Sequence, residues 1–305
     1  ASCLVGSEMC IRDSNMTTML QGSQVGPTPT FFFDYSVKDL RRDITCCPFQ
    51  WTKGVQTLQS FKSWSFGKLR YEWTNRMIPT GNDDGINRQY MRYADIVLMR
   101  AELENELNGA SAAVPYLTKI RNRAFATSDR ATEVTAYVAE AALSKEKMFQ
   151  AIVDERAYEF AGELIRKADL IRWGMLKSKM DETKNKMKAI VSLTDYDSKH
   201  PYSQLSGHAY YKMSAYTWTR NGIETTEKDA KLNLYGLNYG EMDINPEGYT
   251  EFSDSKGEAS TWIKDNALED VIDYLYVRDP DKYQYWPIFN VNLNDNPNLS
   301  NYEWY

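Results

Sequence analysis

The chain has 305 residues, of which 42% are hydrophobic and 26% are charged, and its formal net charge is −6 at pH 7. This length allows one large core or two smaller ones, and the composition is typical of a globular protein. The acidic balance argues against nucleic acid as the main partner, because phosphate binding needs a basic surface. No run approaches the roughly 18 apolar residues of a membrane-spanning helix. No signal peptide opens the sequence either, so we expect a cytosolic protein or one whose leader lies outside this sequence.

The first 26 residues show no usable hydrophobic period. We predict a flexible or non-native segment there; the alternative is a lipoprotein cleavage site with Cys3 as the lipid-bearing residue. Cys46 and Cys47 are adjacent, cannot easily bridge each other without a strained turn, and fit no zinc-binding spacing. We therefore predict that these two are packed thiols rather than a redox pair.

Residues 27–85 are irregular, with aromatic residues scattered among Gly, Ser and Thr. Alternation over residues 68–73 predicts a short strand, and residues 36–43 can form a helical turn or two. Helical periodicity then dominates residues 88–192, which we predict to form two helical hairpins of the tetratricopeptide type.

The first hairpin consists of two helices that meet at Asn108-Gly109, where Gly can adopt the left-handed conformation of a helix cap. The apolar face of its first helix is predicted to contain Tyr90, Ala94, Val97, Leu98, Ala101 and Leu107. The second helix directs Val114, Leu117, Ile120 and Ala124 inward. A further helical turn or two is predicted within residues 132–142.

The second hairpin is predicted to begin at Ser144, a good N-cap residue, and its first helix is predicted to end at Gly162. The apolar stripe of that helix consists of Phe149, Val153, Ala157, Phe160 and Leu164. One further helix is predicted to start near Leu164, with Leu170, Trp173, Leu176, Met180, Thr183, Met187 and Ile190 along one side.

After residue 192 the periodicity is lost. We predict an irregular, aromatic-rich subdomain over 193–262, then a closing helix within 266–277 and an extended tail, together covering 263–305. The predicted fold class is therefore mainly α: tetratricopeptide-like hairpins, a loop-rich subdomain and few short strands. So long an irregular region is usually functional or a small added subdomain.

Four aromatic residues in this subdomain are the best candidates for binding a ligand: Tyr210, Tyr211, Tyr216 and Trp218. Ring faces bind the apolar C–H patches of sugars, while neighbouring Asn and Asp bond to hydroxyl groups. The alternative interpretation is that these rings form the core of the small subdomain. Residues 243–254 partly match a calcium-binding loop, although a solvated turn accounts for the same residues.

Charged residues recur at three- and four-residue spacing on the predicted helices, so that opposite charges become neighbours. We predict a structural ion-pair network made of Arg92, Asp95, Glu155, Glu159, Glu163, Arg166, Asp169 and Arg172. A carboxylate pair could in principle perform acid–base chemistry. A nearby Arg keeps each acid ionised, however, which makes it a poor proton donor. Nucleophile, zinc and nucleotide motifs are missing from the sequence, so we predict no catalytic residue, no metal and no cofactor.

Four motifs resemble the SusD/RagB family of outer-membrane glycan-binding proteins in order and spacing. They are Arg92-Tyr-Ala-Asp-Ile-Val-Leu-Met-Arg-Ala-Glu102, Arg121-Asn-Arg-Ala124, the run from Glu155 to Gly174, and the tail from Trp286-Pro-Ile to Asn296-Pro-Asn-Leu299. The resemblance covers residues 27–305 and implies the C-terminal portion of such a protein. It carries over a fold but no ligand-binding residue.

The resemblance implies a surface lipoprotein of the outer membrane that binds oligo- or polysaccharides without catalysis. It also implies a partner, a SusC-like TonB-dependent transporter to which the glycan passes, and a lipid anchor that this chain lacks. Exposed apolar surface is expected where upstream helices would dock. Two alternatives stay open: a carbohydrate-active enzyme using carboxylates of the irregular region, and a helical-repeat adaptor that binds proteins.

Overall fold

The fold is mainly α, as predicted, with short strands of two to four residues beside the helices. The structure, a computed structural model, describes residues 26–52, 55–60, 64–68, 89–212, 217–219, 222–224, 233–241, 246–252, 262–265, 272–285 and 287–301. The predictions for residues 1–25 and for the strand over 69–73 lie outside the described residues.

Six α-helices form the centre of the molecule. They are α3 (Tyr93–Asn108), α4 (Ala110–Ala124), α5 (Tyr137–Ala141), α6 (Lys145–Phe160), α7 (Arg166–Arg172) and α8 (Leu176–Val191). A 3₁₀ turn (Thr127–Asp129) and a π-helical turn (Ala131–Ala136) lead into α5, which confirms the helical segment predicted within 132–142.

Helices α3 and α4 form the first predicted hairpin. Gly109 joins them with a φ of 90°, a conformation that L side chains rarely adopt. The inward residues Leu98, Ala101 and Leu117 are each 0% exposed, because they lie on the facing stripes of the two helices. This hairpin packs with α5 and α6 around one apolar cluster.

Two residues were wrongly assigned to the apolar face of α3. Tyr90 precedes the helix and is 95% exposed, and Leu107 is 76% exposed because it turns away from α4. Tyr93 and Leu103 also point outward, so the outer side of α3 carries exposed apolar side chains. That this side is the place where further helices dock stays a prediction.

The second hairpin begins as predicted. The Ser144 side chain accepts a hydrogen bond from the Lys147 backbone N–H at 3.1 Å, which caps α6. The single helix predicted after it was wrong, because Gly174, with a φ of 65°, ends α7 and a separate helix, α8, follows. Helix α6 itself ends at Phe160, and Gly162, with a φ of 78°, makes the turn that closes it, as predicted. Leu164 is exposed rather than part of the apolar stripe.

A second apolar cluster joins the N-terminal aromatic segment to α8 and to the region after residue 200. Helix α1 (Pro29–Asp34) contributes Phe32 and Phe33, and Trp64 stacks on Trp262 with 5.7 Å between ring centroids. The short helix α2 (Arg42–Thr45) lies at the end of the helical turn predicted at 36–43.

The strands form small antiparallel sheets of two or three strands. The pairs are β1 (Cys46–Cys47) with β4 (Ser65–Phe66), β2 (Phe49–Thr52) with β3 (Val55–Leu58), and β6 (Thr217–Thr219) with β7 (Gly222–Glu224). In the third group, β5 (Tyr210–Lys212) lies between β8 (Asn233–Tyr235) and β9 (Thr250–Glu251). A 3₁₀ turn over Tyr202–Gln204 precedes β5.

The closing helix predicted within 266–277 lies partly outside the described residues. Helix α9 (Trp262–Asp265) and a 3₁₀ turn (Asp273–Leu275) flank a stretch, 266–271, that lies outside the described residues. The tail was predicted to be extended, yet it contains a short helix, α10 (Asn290–Asp295). No helix in the described part of the chain is long and apolar enough to cross a membrane.

Cys46 and Cys47 are both buried, unbridged thiols, which confirms their prediction as packed residues. Burial raises the pKa of the Cys46 thiol, so this group stays protonated and unreactive at neutral pH.

Candidate functional site

One face of α6 carries an acidic row that is fully engaged by arginines from other elements. Both carboxylate oxygens of Glu155 accept hydrogen bonds, from Arg41 Nη1 at 2.7 Å and from Arg121 Nη1 at 2.8 Å. Glu159 accepts from Arg92 Nη1 at 2.8 Å and from Arg41 Nη1 at 3.0 Å. The four-residue spacing of these acids places them on one side of the helix, where α2, α3 and α4 approach it.

The row continues beyond the end of α6. Glu163 accepts from Arg92 Nε at 2.6 Å and also pairs with Lys68. Gly162, with a φ of 78°, makes the turn that brings Glu163 to these partners, and its Cα faces the Phe66 ring closely enough that a Cβ would lie 3.0 Å from Cγ.

A second buried cluster centres on Arg156. This guanidinium donates from Nε to Asp169 Oδ2 at 2.6 Å, from Nη2 to Asp169 Oδ1 at 3.1 Å, and from Nη1 to Asp95 Oδ1 at 2.7 Å. Arg172 adds a 2.9 Å bond from Nε to Asp169 Oδ1. The cluster therefore ties α3, α6 and α7 together.

The structure brings seven of the eight predicted network residues into ion pairs and leaves one out. Arg166 donates from Nη1 to the backbone carbonyl of Val153 at 2.8 Å. No carboxylate among the described residues lies within ion-pair distance of it, and its one described hydrogen bond goes to the backbone of α6. The sequence did not reveal Arg41 or Arg156 as members. Arg41 is 114 residues from its partner Glu155, and no local spacing signals such a contact.

The electrostatics of this network oppose proton transfer by its acids. Burial by itself raises the pKa of Glu159, but the hydrogen bond from Arg92 and the charges of Arg41 and Arg123 outweigh it and hold that pKa below its ordinary value. A carboxylate held in its ionised form is a poor general acid at neutral pH.

The four predicted ligand-binding aromatics have different surroundings. Tyr210 is only 4% exposed and lies against Tyr235 with 6.2 Å between ring centroids, so its ring contributes to packing. Tyr211 is half-buried against the second apolar cluster. Tyr216 lies outside the described residues, and Trp218 lies in β6, with only its backbone described.

A cavity of about 810 Å³ lies against a face of α6 that does not carry the acidic row. Its walls include residues of α1, α4, α6, α7 and α8 and of the segments 35–39 and 197–200. On α6, the residues that line it are Gln150, Asp154, Ala157, Tyr158 and Ala161, and their spacing defines one helical face.

Ion pairs around Asp34 form part of the cavity wall. Asp34 Oδ1 accepts from Lys186 Nζ at 2.7 Å and lies 2.9 Å from His200 Nε2, and His200 Nδ1 lies 2.7 Å from Asp197 Oδ1. Burial lowers the pKa of Lys186, but the charge and hydrogen bond of Asp34 reverse this and raise it overall. These bonds fix α1 against α8 at the cavity wall.

In the part of the chain that the structure describes, no three His, Cys, Asp or Glu side chains come close enough together to hold a metal ion. The calcium-like segment 243–254 lies partly outside the described residues.

The sequence is similar to proteins of a known family. The family model described as the SusD family matches residues 57–305. A SusD-like protein of Formosa agariphila is 48% identical over 90 residues, which is 30% of this chain and 16% of that protein.

Two solved structures are also similar. A SusD homolog from Bacteroides thetaiotaomicron has 22% identity and a TM-score of 0.46, over 57% of this chain and 37% of that one. A SusD superfamily protein from Bacteroides vulgatus has 22% identity and a TM-score of 0.41, over 56% of this chain and 38% of that one. The matched part thus spans well under half the length of each of these relatives.

Proposed function

This chain belongs to the SusD family, and on that premise we propose that it binds glycans or other nutrients at the cell surface without chemical conversion. The bound glycan would pass to a SusC-like TonB-dependent transporter. The protein would be held at the outer membrane by a lipid anchor. The observation that carries this proposal is the family match over residues 57–305.

The acids of the α6 row are poor candidates for glycoside hydrolysis, which agrees with a binding role. Hydrolysis of a glycosidic bond requires one carboxylic acid that can protonate the leaving group, usually with a raised pKa. The acids of the α6 row instead accept hydrogen bonds from arginines, and the pKa of Glu159 is lowered. Their role in this proposal is to hold the helices together.

We propose Trp218 and Tyr211 as the rings that stack on the sugar, because both belong to the strands of the irregular subdomain. The test is affinity electrophoresis of the chain in gels containing single polysaccharides, with Trp218→Ala and Tyr211→Ala compared with the unchanged protein. Tyr90→Ala is the control, since this exposed ring lies ahead of α3, outside the irregular subdomain.

We expect at least one polysaccharide to retard the chain and the control, and to retard Trp218→Ala less. Unchanged mobility of Trp218→Ala against every retarding polysaccharide would remove this residue from the site. Release of reducing ends from a retarding polysaccharide would instead favour the carbohydrate-active enzyme. Co-purification with a large outer-membrane barrel is the expected sign of delivery to a transporter.

A further inference from the structure

The cavity face of α6 carries polar groups that the ion-pair network does not use. Asp154 and Tyr158 are four residues apart and line the cavity, whereas Glu155 and Glu159 face the arginines. This face of α6 therefore carries polar groups outside the ion-pair network, beside the network residues Arg121 and Asp39, which also line the cavity.

Asp154 is a half-buried carboxylate with one hydrogen bond. Gln150 Nε2 donates to its Oδ1 at 2.7 Å. No cation lies within ion-pair distance of Asp154 in the described part of the chain. Burial raises the pKa of Asp154, and the more distant charges of Lys179 and Arg166 oppose this only in part. A buried carboxylate of this kind is stabilised by any hydroxyl that donates to its second oxygen.

Arg166 also lines the cavity and is the matching donor. It is the first residue of α7, and the bond from its Nη1 to the Val153 carbonyl holds the guanidinium beside α6. Its remaining N–H groups have no hydrogen-bond acceptor among the described residues. Burial lowers the pKa of Arg166, and the charges of Asp154 and Asp169 counteract this. The remaining N–H groups of the Arg166 guanidinium therefore lack hydrogen-bond acceptors at a position where burial partly excludes water.

Aromatic rings form an adjoining wall. Phe31 and Tyr158 line the cavity with 6.3 Å between centroids and an angle of 33° between their planes. Tyr35 lies against both rings, at 5.1 Å from Phe31 and 4.8 Å from Tyr158. The small side chain of Ala157 leaves room between this wall and the polar pair. An apolar ring face beside one acceptor and one donor suits a ligand that has a C–H face and hydroxyl groups at its edge.

We propose that this cavity is a binding subsite for one neutral sugar unit, in which one hydroxyl donates to Asp154 and an adjacent hydroxyl oxygen accepts from Arg166. The C–H face of the sugar would lie on Phe31 and Tyr158. The subsite is distinct from the strand aromatics Tyr211 and Trp218. The choice of a sugar as the ligand rests on the proposed function.

The test is saturation-transfer NMR on the 305-residue chain with methyl α-D-glucopyranoside and methyl α-D-galactopyranoside, and with sodium glucuronate as an anionic probe. The variants are Asp154→Asn and Arg166→Gln. Matched controls are Asp181→Asn and Arg278→Gln, which make the same chemical changes outside the cavity lining. Near-UV circular dichroism establishes that each variant is folded.

We expect at least one methyl hexoside to bind the unchanged chain and both controls, with affinity reduced about 10-fold to 100-fold in either cavity variant, as for loss of a hydrogen bond to a charged group. Ala157→Leu keeps both polar groups and fills the space, and it is expected to abolish hexoside binding even if a charge variant proves unstable. Trp218→Ala is expected to retain hexoside binding.

Three results would overturn the subsite. The first is hexoside binding that survives Asp154→Asn, Arg166→Gln and Ala157→Leu in folded protein. The second is binding of glucuronate alone, which would assign an anionic ligand instead. The third is the absence of any signal from the three probes. Retardation in polysaccharide gels that depends on Trp218 but not on the cavity would leave the proposed function standing while removing this subsite.

Discussion

The buried pair between Arg156 and Asp169 offers the sharpest test of the structural network. Both residues are 3% exposed, and two hydrogen bonds join them. Replacing Asp169 by Ala leaves the Arg156 charge buried with Asp95 as its remaining acid. Breaking a buried ion pair by removing one partner typically costs about 3–5 kcal/mol. Because Asp95 remains, we expect a loss near the lower end of that range.

The measurement is urea unfolding followed by far-UV circular dichroism at pH 7, with the free energy of unfolding obtained by linear extrapolation. Asp169→Asn keeps the side-chain volume and isolates the contribution of the charge. The control is Glu140→Gln, which removes an exposed acid paired with Lys147 and should leave the midpoint unchanged. A loss for Asp169→Ala below about 1 kcal/mol, the level of an exposed pair, would refute the reasoning. Loss of glycan binding at unchanged stability would equally contradict a structural role.

Two further perturbations test the same scaffold. Burial raises the pKa of Glu159 in the folded state, but Arg92, Arg41 and Arg123 lower it overall. Ionised Glu159 therefore stabilises the fold above the unfolded pKa of about 4.3, and this contribution is lost as the pH falls through the folded pKa. Urea midpoints should therefore fall between pH 5 and 3, and Glu159→Gln should flatten this fall; an equally steep fall in the variant would contradict the assignment. Gly162 and Gly174 both have a positive φ, so replacing either by Ala should lower the free energy of unfolding by about 1–2 kcal/mol. Gly162→Ala should cost more, because a Cβ there would also press on the Phe66 ring, whereas nothing faces Gly174. Equal thermal shifts would show that the Phe66 ring yields without cost.

Local patterns in the sequence predicted most of the helices correctly. The hairpin of α3 and α4 follows from three-to-four spacing and from Gly109, and Ser144 caps α6 as its residue type suggests. Errors arose at element ends and breaks. The single helix expected after residue 164 divides at Gly174, because a glycine within a periodic pattern can equally be tolerated or end the helix.

The residues of the candidate site were harder to predict from the sequence. The four aromatics of the irregular subdomain were chosen for their residue type, and burial separates Tyr210 from the others. The cavity beside α6 had no sequence signal, because its walls come from segments far apart in the chain, such as α1 and α8. Asp154 was indistinguishable from the neighbouring acids of the same helix.

The sequence by itself determined the helical class, the hairpin order and the acidic row on α6, because each depends on spacing within a few turns of one helix. Only the tertiary structure decided which charges meet. Arg41 reaches Glu155 across 114 residues, while Arg166 turns toward the cavity instead of joining Asp169. Partners of a buried charge are selected by packing between elements, where an unpaired charge is costly, and that selection depends on the three-dimensional arrangement of the whole chain.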